Sequence, residues 1–154
     1  MLKMNIIRDS VYGFAVGDAL GVPVEFKSRN ELKKFPVIGM SGYGTHQMPK
    51  GCWSDDTSMI LATMDSIIEK NNIDYEDIMF KFCEWYRYGK YTANGVFFDI
   101  GIATSQSLNK YIAGISPIYC GQSDERSNGN GSLMRILPIV LYSYYNNSSN
   151  SLTS

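Results

Sequence analysis

The chain reads as an all-α domain. Apolar residues recur three and four apart over five segments, each bounded by helix start and stop residues. No segment alternates apolar and polar residues as a half-buried strand does. Glycine and proline gather between the periodic segments rather than within a repeating strand-and-turn pattern. At 154 residues the chain is long enough for one domain with a sizeable core.

The first helix is predicted over about 5–20, with Ile7, Val11, Phe14, Ala15 and Val16 on its apolar face. Gly13 and Gly17 lie four apart on it and would let a neighbour approach closely. Gly21 and Pro23 end it. A short turn of helix is expected near 31–35. Residues 36–51, with four glycines and two prolines, form a long irregular connection of the kind that often carries function. A second long helix begins at Ser54 or Asp55 and ends near Lys70, its buried stripe Met59, Ile60, Thr63, Ile67 and Ile68. The next starts at Asp74 with Asp77 three residues on, a variant of the capping box. It turns Ile78, Phe82, Trp85 and Tyr86 inward and stops at Gly89. A fourth long helix is expected over about 99–113, closed by Gly114. The last starts at Ser132, and Pro138 inside it should kink it or mark a close packing site. The domain is expected to span 1–145, followed by a polar, disordered tail over 146–154.

Composition narrows the function. Lys and Arg number 14 and Asp and Glu 15, with no basic run, which argues against a nucleic-acid partner. Eleven Tyr, seven Phe and two Trp argue against disorder. Cys52, Cys83 and Cys120 form neither a disulfide framework nor a C-x-x-C pair, so reduced thiols are expected. No secretory signal or membrane-spanning run is evident, and a cytoplasmic protein is the default expectation.

Four short segments bear chemistry. Ser54-Asp55-Asp56-Thr57 sets two hydroxyls and two adjacent carboxylates where a loop turns into a helix. One reading is an N-cap followed by acids at the positive end of the helix dipole. The other is a set of hard oxygen donors for a divalent cation such as Mg²⁺, with Trp53 and Met59 shielding the acids. In Gly17-Asp18-Ala19-Leu20-Gly21, Asp18 opposes the helix dipole and so calls for a partner. Glu25, between Val24 and Phe26, is a candidate general base or ligand. The run Gly129-Asn130-Gly131-Ser132 is either a glycine turn with a serine cap or a backbone cradle for phosphate, without the lysine of a P-loop. Asp99, ahead of Gly101, reads first as a cap. His46 alone cannot make a zinc site, because no cysteine is suitably spaced.

Taken in order, these segments resemble the ADP-ribosylglycohydrolase family, especially bacterial members of the dinitrogenase-reductase-activating type. The resemblance is carried by Gly13…Gly17-Asp18-Ala19-Leu20-Gly21…Pro23…Glu25, Gly44-Thr45-His46…Pro49…Gly51…Trp53-Ser54-Asp55-Asp56-Thr57-Ser58-Met59, Asp99-Ile100-Gly101 and Asn130-Gly131-Ser132-Leu133-Met134-Arg135. It implies a helical bundle around a two-Mg²⁺ centre (Mn²⁺ being an alternative) and hydrolysis of the bond between ADP-ribose and a modified side chain or small acceptor. On that resemblance Ser54, Asp55 and Asp56 hold metal, and Glu25, Asp55 and Asp56 serve catalysis. Asp99 and Gly101 line the ribose pocket, while Asn130, Gly131, Ser132 and Met134 hold phosphates and ribose. Family members are longer and carry a later Gly-Asp-Thr-Asp-Thr type segment with further metal ligands, which this sequence lacks. The expectation is therefore an incomplete bundle with part of a metal site. It would be completed by another chain, or would self-associate through uncovered apolar faces, or would persist as an ADP-ribose-binding module without hydrolase activity.

Overall fold

In the computed structural model the described residues are 2–125, 127 and 129–150, with backbone alone for 2–5 and 148–150. Among them there are six α-helices and no strand. Helix α1 spans Leu2–Gly21, α2 Arg29–Lys34, α3 Asp55–Lys70, α4 Tyr75–Tyr88, α5 Ile102–Ile112 and α6 Leu137–Asn150.

The helix ends follow from side-chain chemistry. Ser28 and Glu31 form a reciprocal capping box that lets the six-residue α2 exist. Asp74 accepts from the Asp77 amide at the start of α4. Gly89 ends α4 in the left-handed conformation (φ 67°), its amide returning to the Trp85 carbonyl. A Cβ there would lie 2.5 Å from the Gly95 carbonyl oxygen.

Helix α3 is the central element. It packs on α4, and Met59, Ala62, Ile78, Met79, Phe82, Cys83, Trp85, Leu108 and Cys120 make the main core. Three of its expected buried residues, Met59, Ile60 and Thr63, are buried, but Ile68 is 74% exposed. A smaller cluster of Val22, Met48 and Cys52, backed by Phe98, fixes the long 36–51 connection against the end of α1. The three cysteines are free and buried.

Five expectations need correction. Asp99 does not cap α5: it takes a left-handed conformation (φ 53°), and Gly101 occupies the cap position. Ser132 does not open a long helix. A single 3₁₀ turn, Leu133–Arg135, follows it, and α6 begins at Leu137. Pro138 therefore falls in the first turn of α6, where its missing N–H would have no partner anyway, so it produces no kink. Helix α6 runs on to Asn150, through residues expected to be disordered, while 151–154 lie outside the described residues. A Cβ on Gly13 or Gly17 would meet nothing within 4 Å, so no close helix approach depends on either glycine.

Candidate active site

The end of α1, the start of α3, the 98–101 segment and the 127–134 loop enclose a cleft of about 960 Å³. Asp18, Glu25, Ser54, Asp55, Asp56 and Asp99 line one part of it, and Gly101, Thr104, Asn130, Gly131 and Met134 another. Of the residues singled out in the sequence, Ser132 stands apart: it lines a neighbouring groove with Arg135, Ile136 and Ile139.

The acidic side is built around the start of α3. Ser54 caps the helix, its side chain accepting from the Asp56 amide at 3.2 Å. The Asp18 carboxylate, at the far end of α1, caps the same terminus from outside. It accepts from the Ser54 amide (3.0 Å), the Thr57 amide (3.1 Å) and the Thr57 hydroxyl (2.6 Å). That answers the misfit of an acid at a helix C-terminus: its partner is the positive end of another helix. Asp18 thereby ties α1 to the Ser54-Asp55-Asp56 corner.

The two acids that follow are poorly hydrated. Asp55 is 6% exposed. Burial first, then the charges of Asp99, Asp56 and Asp18, push its carboxyl up to about 7. Burial, then Asp18, Glu25 and Asp99, push Asp56 up to about 6. Asp99 is also raised, by burial and then by Glu25. Arg135 lies nearby, its guanidinium 4.9 Å over the Phe82 ring and its Nη1 3.5 Å from the Met59 sulfur. Burial lowers its affinity for a proton and the Asp55 charge opposes that.

Across from Asp56, Glu25 follows the 3₁₀ turn Val22–Val24. Its Oε2 lies 2.6 Å from His46 Nε2. Glu25, His46 and Asp99 each offer an atom within 4.8 Å of the others. The solitary histidine gave no sign of this in the sequence beyond its place on the loop leading to Ser54. On the opposite side, a Cβ on Gly131 would come 2.9 Å from the Thr104 hydroxyl, so the glycine lets the loop lie against α5.

This set could hold a hard cation: it offers hydroxyl and carboxylate oxygens, partly desolvated and mutually repelling. The cap and metal readings of Ser54 are compatible, since the hydroxyl oxygen that accepts from the Asp56 amide keeps a second lone pair.

The family model for ADP-ribosylglycohydrolase matches residues 3–153. The chain belongs to this family. It is 35% identical over 136 residues to an ADP-ribosylarginine hydrolase of Pseudomonas putida, covering 88% of this chain and 35% of that protein. It is 33% identical over 132 residues to the ADP-ribosyl-[dinitrogen reductase] glycohydrolase of Rhodospirillum rubrum, covering 84% of this chain and 42% of that one. A solved structure described as an ADP-ribosylglycohydrolase-related protein complex superposes with a TM-score of 0.70 at 37% identity, over 90% of this chain and 42% of its counterpart. The chain thus spans well under half the length of these relatives. As an ADP-ribosylglycohydrolase fold it keeps the all-helical build, and its cleft gathers nearly all the residues that the family resemblance marks out.

Proposed function

We propose that the chain is a hydrolase that cleaves the glycosidic bond between ADP-ribose and a modified side chain, with arginine as the first candidate acceptor. The observation that carries this reading is the meeting of Glu25, Asp55, Asp56 and Asp99 in one cleft with the Gly131–Met134 loop across from them. The curated relatives named above act on ADP-ribosylated arginine or an ADP-ribosylated protein by their descriptions.

The roles follow from chemistry and position. Ser54, Asp55 and Asp56 would hold Mg²⁺, or Mn²⁺ in its place. Such an ion supplies Lewis acidity and orients hydroxyl groups. Asp99 and the backbone at Gly101 would bind ribose hydroxyls, and Asn130, Gly131 and Met134 would seat the rest of the ADP-ribose. Holding the sugar at both ends presents its anomeric carbon to water at one fixed place. Glu25 accepts the proton of the attacking water. The new bond is water oxygen to anomeric carbon. The broken bond is anomeric carbon to acceptor atom, and the acceptor leaves with its electron pair and takes a proton. Ser132, outside the cleft, has no direct part in this reading.

The deciding experiment is release of ADP-ribose from an ADP-ribosylated arginine peptide by the full chain, with Mg²⁺ and with EDTA. Chelator-sensitive release is the expected result. Release unaffected by EDTA would remove the metal from the mechanism. Binding of ADP-ribose without release would favour a binding module.

A further inference from the structure

Glu25 stands outside any long helix, in a tight turn that the Lys27 amide closes on the Val24 carbonyl (3.1 Å). The 44–47 turn holds that segment from outside. The Thr45 amide donates to the Pro23 carbonyl (3.1 Å), and the Thr45 hydroxyl donates to the Glu25 carbonyl (2.7 Å). The Gln47 amide closes the turn on the Gly44 carbonyl (3.1 Å), and Tyr43 pairs with Met48 (2.7 Å). A Cβ on Gly44 would fall 1.8 Å from the Pro23 carbonyl oxygen, so only glycine permits this approach. At the tip, the His46 ring is flanked by Phe26 (6.0 Å between centroids) and Phe98 (5.4 Å). Its side chain is 15% exposed against 37% for Glu25. The ring is thus the better anchored of the two.

We infer that His46 is a positioning residue that aims the Glu25 carboxylate into the cleft. On the reading of Glu25 as the group that takes the water's proton, its carboxylate only accepts hydrogen bonds, and the nitrogen 2.6 Å from it is then the one that carries hydrogen. His46 therefore presents Nε2–H to Glu25 Oε2, with the Asp99 carboxyl beside the pair. The inference rests on the reading of Glu25 as the acceptor of the water's proton. Displacing a reacting group by about 1 Å costs on the order of 100-fold in rate.

Because His46 is the sole histidine, a chain labelled with ¹⁵N-histidine shows a single imidazole in the NMR spectrum. The expected result is one protected, hydrogen-bonded Nε2–H signal. It is lost in Glu25→Ala and kept in Asp99→Asn. In the release assay, His46→Ala should lower kcat by about 100-fold with KM changed less than about threefold, and His46→Gln, which keeps a donor, should recover part of the loss. A freely exchanging imidazole in the wild type, or a signal indifferent to Glu25→Ala, overturns the inference. So does a kcat for His46→Ala within about threefold of wild type while Glu25→Gln is inactive. Full activity in Glu25→Gln would instead remove Glu25 as the base, and the imidazole signal would still report the clamp. If the wild-type chain releases no ADP-ribose, the hydrolase reading fails separately, and the NMR result alone decides for or against the clamp.

Discussion

Asp18 does two opposing things with one carboxylate. It satisfies two backbone amides and a hydroxyl at the start of α3, and it adds negative charge beside Asp55 and Asp56. Asp18→Ala should destabilise the chain by about 1–3 kcal/mol, because it strands amides that are partly buried. Asp18→Asn keeps an acceptor and drops the charge, so it should cost less. Chemical denaturation of both variants tests the ranking, and an Asn variant less stable than Ala would contradict it. The raised Asp55 and Asp56 carboxyls set a pH dependence. Their folded-state values, about 7 and about 6, lie above the ordinary 3.8, so the folded state binds more protons than the unfolded one between roughly pH 4 and 7. Their contribution to stability is intact below about pH 4 and is lost as pH rises to 7, by on the order of 1–4 kcal/mol for the coupled pair. On the proposed metal assignment Mg²⁺ would displace those protons, so the stabilisation it gives should grow over the same interval. Thermal melts at pH 5 and 7.5, with Mg²⁺ and with EDTA, check both signs. A larger Mg²⁺ effect at pH 5 would count against the metal assignment.

At the scale of the elements, most of α3 and α4 could be read directly from residue order. Ser54, Asp74 and Gly89 are local signals, and each sits where its chemistry requires. The start of α5 could not be read so, because Asp99 resembles a cap but serves the cleft, and its left-handed backbone has no sequence marker. Pro138 misled for a similar reason: whether it kinks a helix or opens one depends on where the helix begins, and the 3₁₀ turn at Leu133–Arg135 postpones that beginning. Glu25, Asp55 and Asp56 were legible because carboxylates among apolar residues stand out. His46 was not, since its partner lies 21 positions away. Gly89→Ala tests the one helix stop that combines positive φ with a backbone clash. It should cost about 1–3 kcal/mol, measured by denaturant midpoint, and a neutral result would mean that the Gly95 loop shifts freely.

At the scale of the whole molecule, the outer faces of α1 and α3 carry much apolar surface. Tyr12 is 67% and Val16 48% exposed, and an apolar groove lined by Val11, Ala15, Trp53 and Leu61 runs between the two helices. Such a patch on a small chain favours association. Sedimentation over a range of concentrations should show self-association, which Val16→Glu reduces. A monodisperse monomer throughout would contradict that expectation. No described helix is long and apolar enough to cross a membrane.

The indole of Trp53 donates to the Tyr91 carbonyl (3.0 Å) one residue before the acidic corner, while Trp85 is sealed in the main core. Two fluorophores therefore sit in unlike surroundings. With Trp85→Phe the remaining emission would watch the loop just before Ser54 and the start of α3, and with Trp53→Phe it would watch global unfolding, so changes at that corner and denaturation acquire separate optical reporters in one small chain.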